Sequence, residues 1–185
     1  MKTIIGSKNE IICQIQAYVD ALPKDAAIAV AYNEDTAMIN LLGKKLIQVM
    51  EAGNIISSAL HFDITTEDYN GEEIDLALLG IGYKAQIGFN EVATPYASTK
   101  HTQKLTRTTK EEYSFLGDVP DEGITLGISD IVKAKKIIVL ATGNKKAEAA
   151  YNMLYARDDS TVPAAFLQLP PNVDVYLDEE AASLL

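Results

Sequence analysis

The chain has 185 residues, 48% of them hydrophobic and 23% charged, which suffices for one compact core and excludes disordered and collagen-like chains. A formal charge of −10 argues against sequence-independent nucleic-acid binding, because polyanions are repelled at long range. No apolar run approaches the ~18 residues that a membrane-spanning helix needs, and the single cysteine, Cys13, excludes both an internal disulfide and a Cys-rich zinc site.

Residues 1–5 read as a short strand behind Lys2, too brief for the apolar region of a signal peptide, so the expected location is cytoplasmic. Ser7, with Glu10 three residues on, is a capping-box start for a helix carrying Ile11, Ile12, Ile15, Tyr18, Val19 and Leu22, which Pro23 stops. Cys13 falls within that pattern and is expected in the core. Residues 26–31 form a small apolar run suited to a strand buried on both faces. Asp35 is placed to cap a second helix with Met38, Ile39, Leu42, Leu46 and Met50 on one side, closed by Gly53. Residues 55–62 and 74–79 are further strand candidates, separated by a polar, acidic turn.

Residues 80–91 read as a loop, and the alternating Thr and Lys of residues 97–109 suggest one or two exposed strands. Residues 123–134 look helical. Residues 136–141 give the clearest buried strand, followed by a turn at Thr142, Gly143 and Asn144 and a helix through Ala147, Ala150, Tyr151 and Leu154. Pro163 begins a short helix, residues 173–177 a last strand, and Asp178, Glu179 and Glu180 the start of a last helix. The alternation predicts a single doubly wound α/β domain over residues 1–185, with a mostly parallel sheet and helices on both faces. In such sheets ligands bind beyond the carboxyl ends of the strands, which directs attention to the loops at 32–36, 62–70, 80–91 and 142–146.

Cations are unevenly placed. Lys100, Lys104, Arg107 and Lys110 share one acid-free stretch, and Lys133, Lys135, Lys136, Lys145 and Lys146 another. Brought together by the fold they would hold a small anion; the alternative is solvated strand edges and helix ends. His61 ends an apolar strand and is expected to pack or cap there, while His101 is expected at the surface.

Leu78-Leu79-Gly80-Ile81-Gly82-Tyr83-Lys84-Ala85-Gln86-Ile87-Gly88-Phe89-Asn90-Glu91 resembles the signature loop of the glucosamine-6-phosphate deaminases and isomerases, G-[IV]-G-x-D-G-H-I-[AG]-F-N-E-P. Gly123 to Ile128 with Ala134 to Ala147, and Pro163 to Leu169 with Asp174 to Ala182, are similar to later segments of that family. The resemblance covers residues 76–185; before them only the order of elements matches.

The resemblance implies an α/β domain acting on amino-sugar phosphates by aldose–ketose isomerisation with deamination, without metal or cofactor. It implies that the loop after the second strand cradles the sugar phosphate at a helix N-terminus. Here that loop is Tyr32-Asn33-Glu34-Asp35-Thr36, whose two carboxylates stand where a dianion would lie. A like-charge contact near 4 Å costs on the order of 4 kcal/mol at an effective dielectric of 20, leaving Thr36 as the residue suited to phosphate. The alternative is that Glu34 and Asp35 complement the dipole of the second helix.

The family's enolising Asp lies in an F-N-M-D-E-Y loop. Alignment from Phe62 puts Thr65 there, and alignment from Tyr69 puts Glu67 there, with Asp68 beside it. In the signature loop, Lys84 stands at the family's Asp, Gln86 at its His, and Glu91 is retained, with Gly82 and these side chains facing the sugar. Gln has no titrating proton, and Lys is poorly matched to neutral pH at its ordinary pKa of about 10.4. Each lost acid or base typically removes about 10²- to 10⁴-fold in rate. Lys146 matches the family's phosphate-binding Lys; the family's Arg falls near Phe115, and Lys100, Lys104 or Arg107 would have to substitute.

Three functions follow from the resemblance: a sugar-binding or regulatory relative with weakened chemistry, an active isomerase rebuilt from Glu67 or Asp68, Glu91 and Lys146, or a hydrolase of the 6-phosphogluconolactonase type. The last also expects the His that Gln86 replaces. Between residue 70 and the next strand the family carries a covering segment that this sequence lacks, which leaves an apolar face bare and predicts a homodimer.

Overall fold

The computed structural model describes residues 1–54, 60–157 and 160–185. Six strands make a wholly parallel sheet: β1 (Lys2–Gly6), β2 (Ala27–Val30), β3 (Lys45–Gln48), β5 (Leu76–Leu79), β8 (Lys136–Ala141) and β9 (Val173–Asp178), in the order β1-β9-β8-β5-β2-β3. A small antiparallel sheet, β4 (Met50–Glu51), β7 (Glu122–Thr125) and β6 (His101–Lys104), lies apart from it. The helices are α1 (Lys8–Ala21), α2 (Arg107–Glu112), α3 (Ile128–Val132) and α4 (Ala147–Tyr155), supplemented by 3₁₀ turns.

The central strands are apolar throughout because both faces are covered, and side chains alternate between two cores. Ile28, Val30, Leu76, Leu78, Ile138 and Leu140 meet Ile11, Ile15 and Val19 of α1 on one face. Ala29, Ala77, Leu79, Val139 and Ala141 meet Ile131, Ala150, Met153 and Leu167 on the other, where Phe89 and Leu126 also pack. The capping box forms as the sequence predicts: Ser7 Oγ accepts from Glu10 N, and Ser7 N donates to Glu10 Oε2. After β2 the chain moves outward to β3, then returns to β5 on the other side of β2. The loops after β2 and β5 therefore diverge and leave a crevice at the carboxyl ends of these strands.

Several sequence expectations are corrected. The helix expected after Asp35 is a 3₁₀ turn at Thr36–Met38 followed by β3. Its apparent helical stripe includes Leu42, which is 90% exposed. Pairing wins there, with Lys45 N donating to Ala26 O and Val49 N to Val30 O, after Gly43 turns the chain at φ +83°. The expected helix at 123–134 divides into β7 and the shorter α3. Gly123 is required in β7, since a Cβ would lie 2.8 Å from the Phe89 ring and from Glu51 O.

The Thr- and Lys-rich stretch is a strand only as far as Lys104 and then becomes α2. No helix follows β9, because Asp178 turns back to Gly143 N and Ala181 N. Cys13 is exposed rather than core, lying on the solvent side of α1. His61 is exposed and Leu60 to Phe62 form no strand; the rest of that expected strand, residues 55–59, lies outside the described residues. His101 is half-buried, its Nδ1 2.7 Å from Thr99 O. The two cationic stretches do not converge on one anion site. Lys110 pairs with Asp121, Lys135 with Glu73 and Asp75, Lys136 with Asp174, and Lys100 Nζ donates to the carbonyls of Glu67 and Tyr69.

Candidate functional site

A cavity of about 420 Å³ opens at the crevice. The loop after β2 supplies Asn33, Glu34 and Asp35; the loop after β5 supplies Tyr83; and the turn after β8 supplies Thr142 through Lys146. Lys8, Glu112, Tyr113, Phe115 and Glu180 complete the wall. Three ammonium groups thus face four carboxylates across an aromatic surface.

Several of the anion-holding groups of this wall are engaged by the chain itself. In the first loop, Asn33 N donates to Thr36 Oγ1 at 3.0 Å, Thr36 N to Asn33 Oδ1 at 3.1 Å, and Ala37 N to Asn33 O. Thr36 is buried, and its hydroxyl donates to Ala31 O. In the turn after β8, Gly143 N donates to Asp178 and Asn144 N to Glu180. Lys146 is the one predicted binding residue that lines the cavity. Its ammonium donates to Ile81 O at 2.6 Å, pairs with Glu112 Oε1, and stands 4.4 Å from the centroid of the Tyr83 ring. Glu112 Oε2 accepts from Tyr83 N at 3.2 Å.

Asp35 forms no helix cap; it accepts from the Thr142 hydroxyl. Burial holds its carboxyl above the ordinary carboxylate range, opposed by the Thr142 hydrogen bond and by the charge of Lys146. Burial, then the charges of Glu112, Glu34 and Asp35, raise the Tyr83 phenol. The same order of causes, burial before Glu112, raises Tyr113.

The signature loop lies behind the wall. Gln86 is 4% exposed, and all of its polar atoms are used: Oε1 accepts from Lys84 N, while Nε2 donates to Glu91 Oε2 at 3.1 Å and to Thr109 Oγ1 at 3.2 Å. Glu91, 3% exposed, accepts through Oε1 from Thr106 N, Thr106 Oγ1 and Thr109 Oγ1, so it fastens the start of α2. Gly82 is obligatory for this arrangement, since a Cβ would sit 2.1 Å from Gln86 Oε1. The Lys84 side chain points to solvent. Glu67 and Asp68 are exposed between β4 and β5 and, like Glu91 and Gln86, do not line the cavity. Among the described residues, no group of three or more His, Cys, Asp and Glu is placed to hold a metal ion.

Sequence reasoning missed Tyr83 and Glu112. Glu112 carried no motif, and its partner is 34 positions away in sequence. Ala85 was also missed: it holds φ +58°, a left-handed conformation disfavoured for any residue with a Cβ, at the position where the resembling motif has Gly.

No protein-family model matches the chain. A glucosamine-6-phosphate deaminase of Exiguobacterium sibiricum is 46% identical over 116 residues, 60% of this chain and 46% of that protein. One from Halalkalibacterium halodurans is 44% identical over 112 residues, 58% of this chain and 46% of that protein. One from Clostridium novyi is 38% identical over 138 residues, 72% of this chain and 56% of that protein. The chain spans about half the length of the curated relatives it matches. A solved monomeric glucosamine-6-phosphate deaminase superposes at TM-score 0.83 and 23% identity, over 100% of both chains. The 6-phosphogluconolactonase of Trypanosoma brucei superposes at TM-score 0.70 and 17% identity, over 100% of this chain and 98% of that one. These two likenesses establish the shared α/β fold, and the sequence matches identify the chain as a divergent homologue of the glucosamine-6-phosphate deaminases.

Proposed function

We propose that the protein binds an amino sugar or a close derivative in the crevice between the loops after β2 and β5, and that it turns over hexosamine phosphates poorly or not at all. The observation that carries this reading is the fixed, fully bonded Gln86. Ring opening needs a proton moved to or from the sugar, and the residue at the resembling motif's His is an amide committed to Lys84 N, Glu91 and Thr109. Glu91 is consumed by the same network, and Glu67 and Asp68 stand off the cavity wall. Of the residues from which an isomerase would be rebuilt, only Lys146 therefore lines the cavity. A lactonase of the 6-phosphogluconolactonase type draws support from the fold alone and lacks the same proton carrier.

Ammonia and ketose phosphate released from glucosamine 6-phosphate or galactosamine 6-phosphate test the reading at high enzyme concentration. The expected result is no turnover above background, and brisk turnover near neutral pH refutes it. Binding is read by thermal shift, since a ligand raises stability by RT ln(1 + [L]/Kd).

A cytoplasmic location is part of the proposal, supported by one exposed, unpaired thiol at Cys13. Among the described residues no helix is long and apolar enough to cross a membrane. A homodimer is also proposed, supported by the exposure of Leu42, Tyr151 and Tyr155, and a monomer by light scattering at tens of micromolar refutes it.

A further inference from the structure

Glu112 occupies an unusual position: a carboxylate on the last turn of α2, its side chain 9% exposed, turned inward onto the cavity wall. One oxygen pairs with the ammonium of Lys146 and the other accepts from the backbone N–H of Tyr83. A lysine ammonium and a main-chain donor converging on one point, next to aromatic rings, are the elements of a subsite for a small anion. Here that subsite is filled by the chain's own carboxylate.

Several donors elsewhere on the wall are already engaged: Asn33 N and Thr36 N of the loop after β2 by Thr36 Oγ1 and the Asn33 side chain, and Gly143 N and Asn144 N of the turn after β8 by Asp178 and Glu180. A phosphate entering the cavity would meet Glu34, Asp35, Glu112 and Glu180, with Lys8 and Lys145 as the cations outside the Glu112 pair. The aromatic side chains of Tyr83, Tyr113 and Phe115 on the wall, with the carboxylates of Glu34, Asp35 and Glu180 able to accept from hydroxyls, suit a neutral sugar ring instead.

Resting on the sugar-binding reading above, we infer that Glu112 is a specificity-determining residue that fills the anion position beside Lys146 and Tyr83 N, so that the pocket takes an unphosphorylated sugar. The Glu112→Gln substitution keeps the side-chain length, removes the charge that repels an entering phosphate, and releases the ammonium of Lys146 from its counter-charge, leaving a neutral amide that phosphate can displace from Tyr83 N.

Isothermal titration of the full chain with inorganic phosphate, glucosamine 6-phosphate and glucosamine tests this. The unsubstituted protein is expected to bind glucosamine and to show no saturable heat with inorganic phosphate at millimolar concentration. Glu112→Gln is expected to gain phosphate binding by about tenfold or more, equivalent to roughly 1.4 kcal/mol. Glu111→Gln removes the same charge from an exposed neighbour paired with Arg107 and is expected to gain nothing. Adding Lys146→Met to Glu112→Gln is expected to abolish the gain.

Glu112→Asp, which shortens the carboxylate and loosens the pair, gives a second route should Glu112→Gln unfold, and is expected to gain a smaller increment. Folded variants with no gain in phosphate binding overturn the inference. So does an unsubstituted protein that binds glucosamine 6-phosphate as tightly as glucosamine. Because the phosphate titrations need no sugar and no turnover, ammonia release by the unsubstituted protein would refute the proposed function while the Glu112 variants still decided this point.

Discussion

Replacing Glu91 by Ala separates a structural carboxylate from a catalytic one. The side chain is 3% exposed and accepts four hydrogen bonds, from Thr106 N, Thr106 Oγ1, Thr109 Oγ1 and Gln86 Nε2. Hydrogen bonds to a charged group each contribute about 1.5–3 kcal/mol to stability. These four share one acceptor and are not additive, and removal recovers part of the carboxylate's desolvation. Against that, Gln86 Nε2 keeps Thr109 as a partner, but Thr106 N at the start of α2 is left without its acceptor. A net loss of about 2–4 kcal/mol follows, or roughly 5–15 °C in Tm for a chain of this size. Urea unfolding with a constant slope measures it, and the double variant with Gln86→Ala should show a coupling of about 0.5–3 kcal/mol. A Glu91→Ala protein within about 0.5 kcal/mol of the original, with a measurable turnover abolished, would refute the structural assignment and restore Glu91 to the chemistry.

Ala85→Gly removes a left-handed strain worth about 1–2 kcal/mol and adds the chain entropy of glycine, about 0.5–1 kcal/mol, so thermal unfolding should show a gain of up to about 1.5 kcal/mol. Gly127→Ala should destabilise by about 1–3 kcal/mol or more, because a Cβ there would lie 2.1 Å from Ser98 O, a main-chain atom that a rotamer change cannot move. Asp35 has a folded-state pKa raised by burial, so the folded chain holds its proton more tightly than the unfolded one. Its contribution is favourable below the ordinary Asp pKa and is lost as pH rises through the folded value. Asp35→Asn should therefore gain stability relative to the unsubstituted protein at pH 7 compared with pH 4, read from paired unfolding curves, and equal differences at both values would refute the assignment.

The fold was legible wherever local pattern and burial agree. The apolar strands at Ala27–Val30 and Lys136–Ala141 read as buried because both faces are covered, and Ser7 with Glu10 marked the start of α1 without ambiguity. It was illegible where pairing across distance decides. Residues 38–50 carry helical spacing, yet Lys45–Gln48 are drawn into the sheet by β2, a partner that no local window contains. Residues 123–134 read as helical, but Gly123 pairs with Gln103, and Thr125 with His101 and Met50, in the small sheet.

The site divides along the same line. Lys84 and Gln86 were visible at two positions of the resembling motif, where neither offers an acid or base suited to neutral pH at its ordinary pKa. The partners of Gln86, Glu91 and Lys146 were not visible, because they depend on α2. That helix brings Thr106 and Thr109 onto Glu91, and Glu112 onto Lys146, in a single span of Arg107–Glu112 and its cap. The same short element thus immobilises the retained acid behind the wall and neutralises the retained cation on it. A side chain matched to a motif by position need not keep its partner set. Lys146 aligns with a phosphate ligand yet meets a carboxylate, and Glu91 aligns with a proton carrier yet meets two threonines. Both departures can be reversed experimentally, since restoring a free ammonium needs only the removal of Glu112, whereas restoring a mobile acid requires dismantling the anchor of α2 itself.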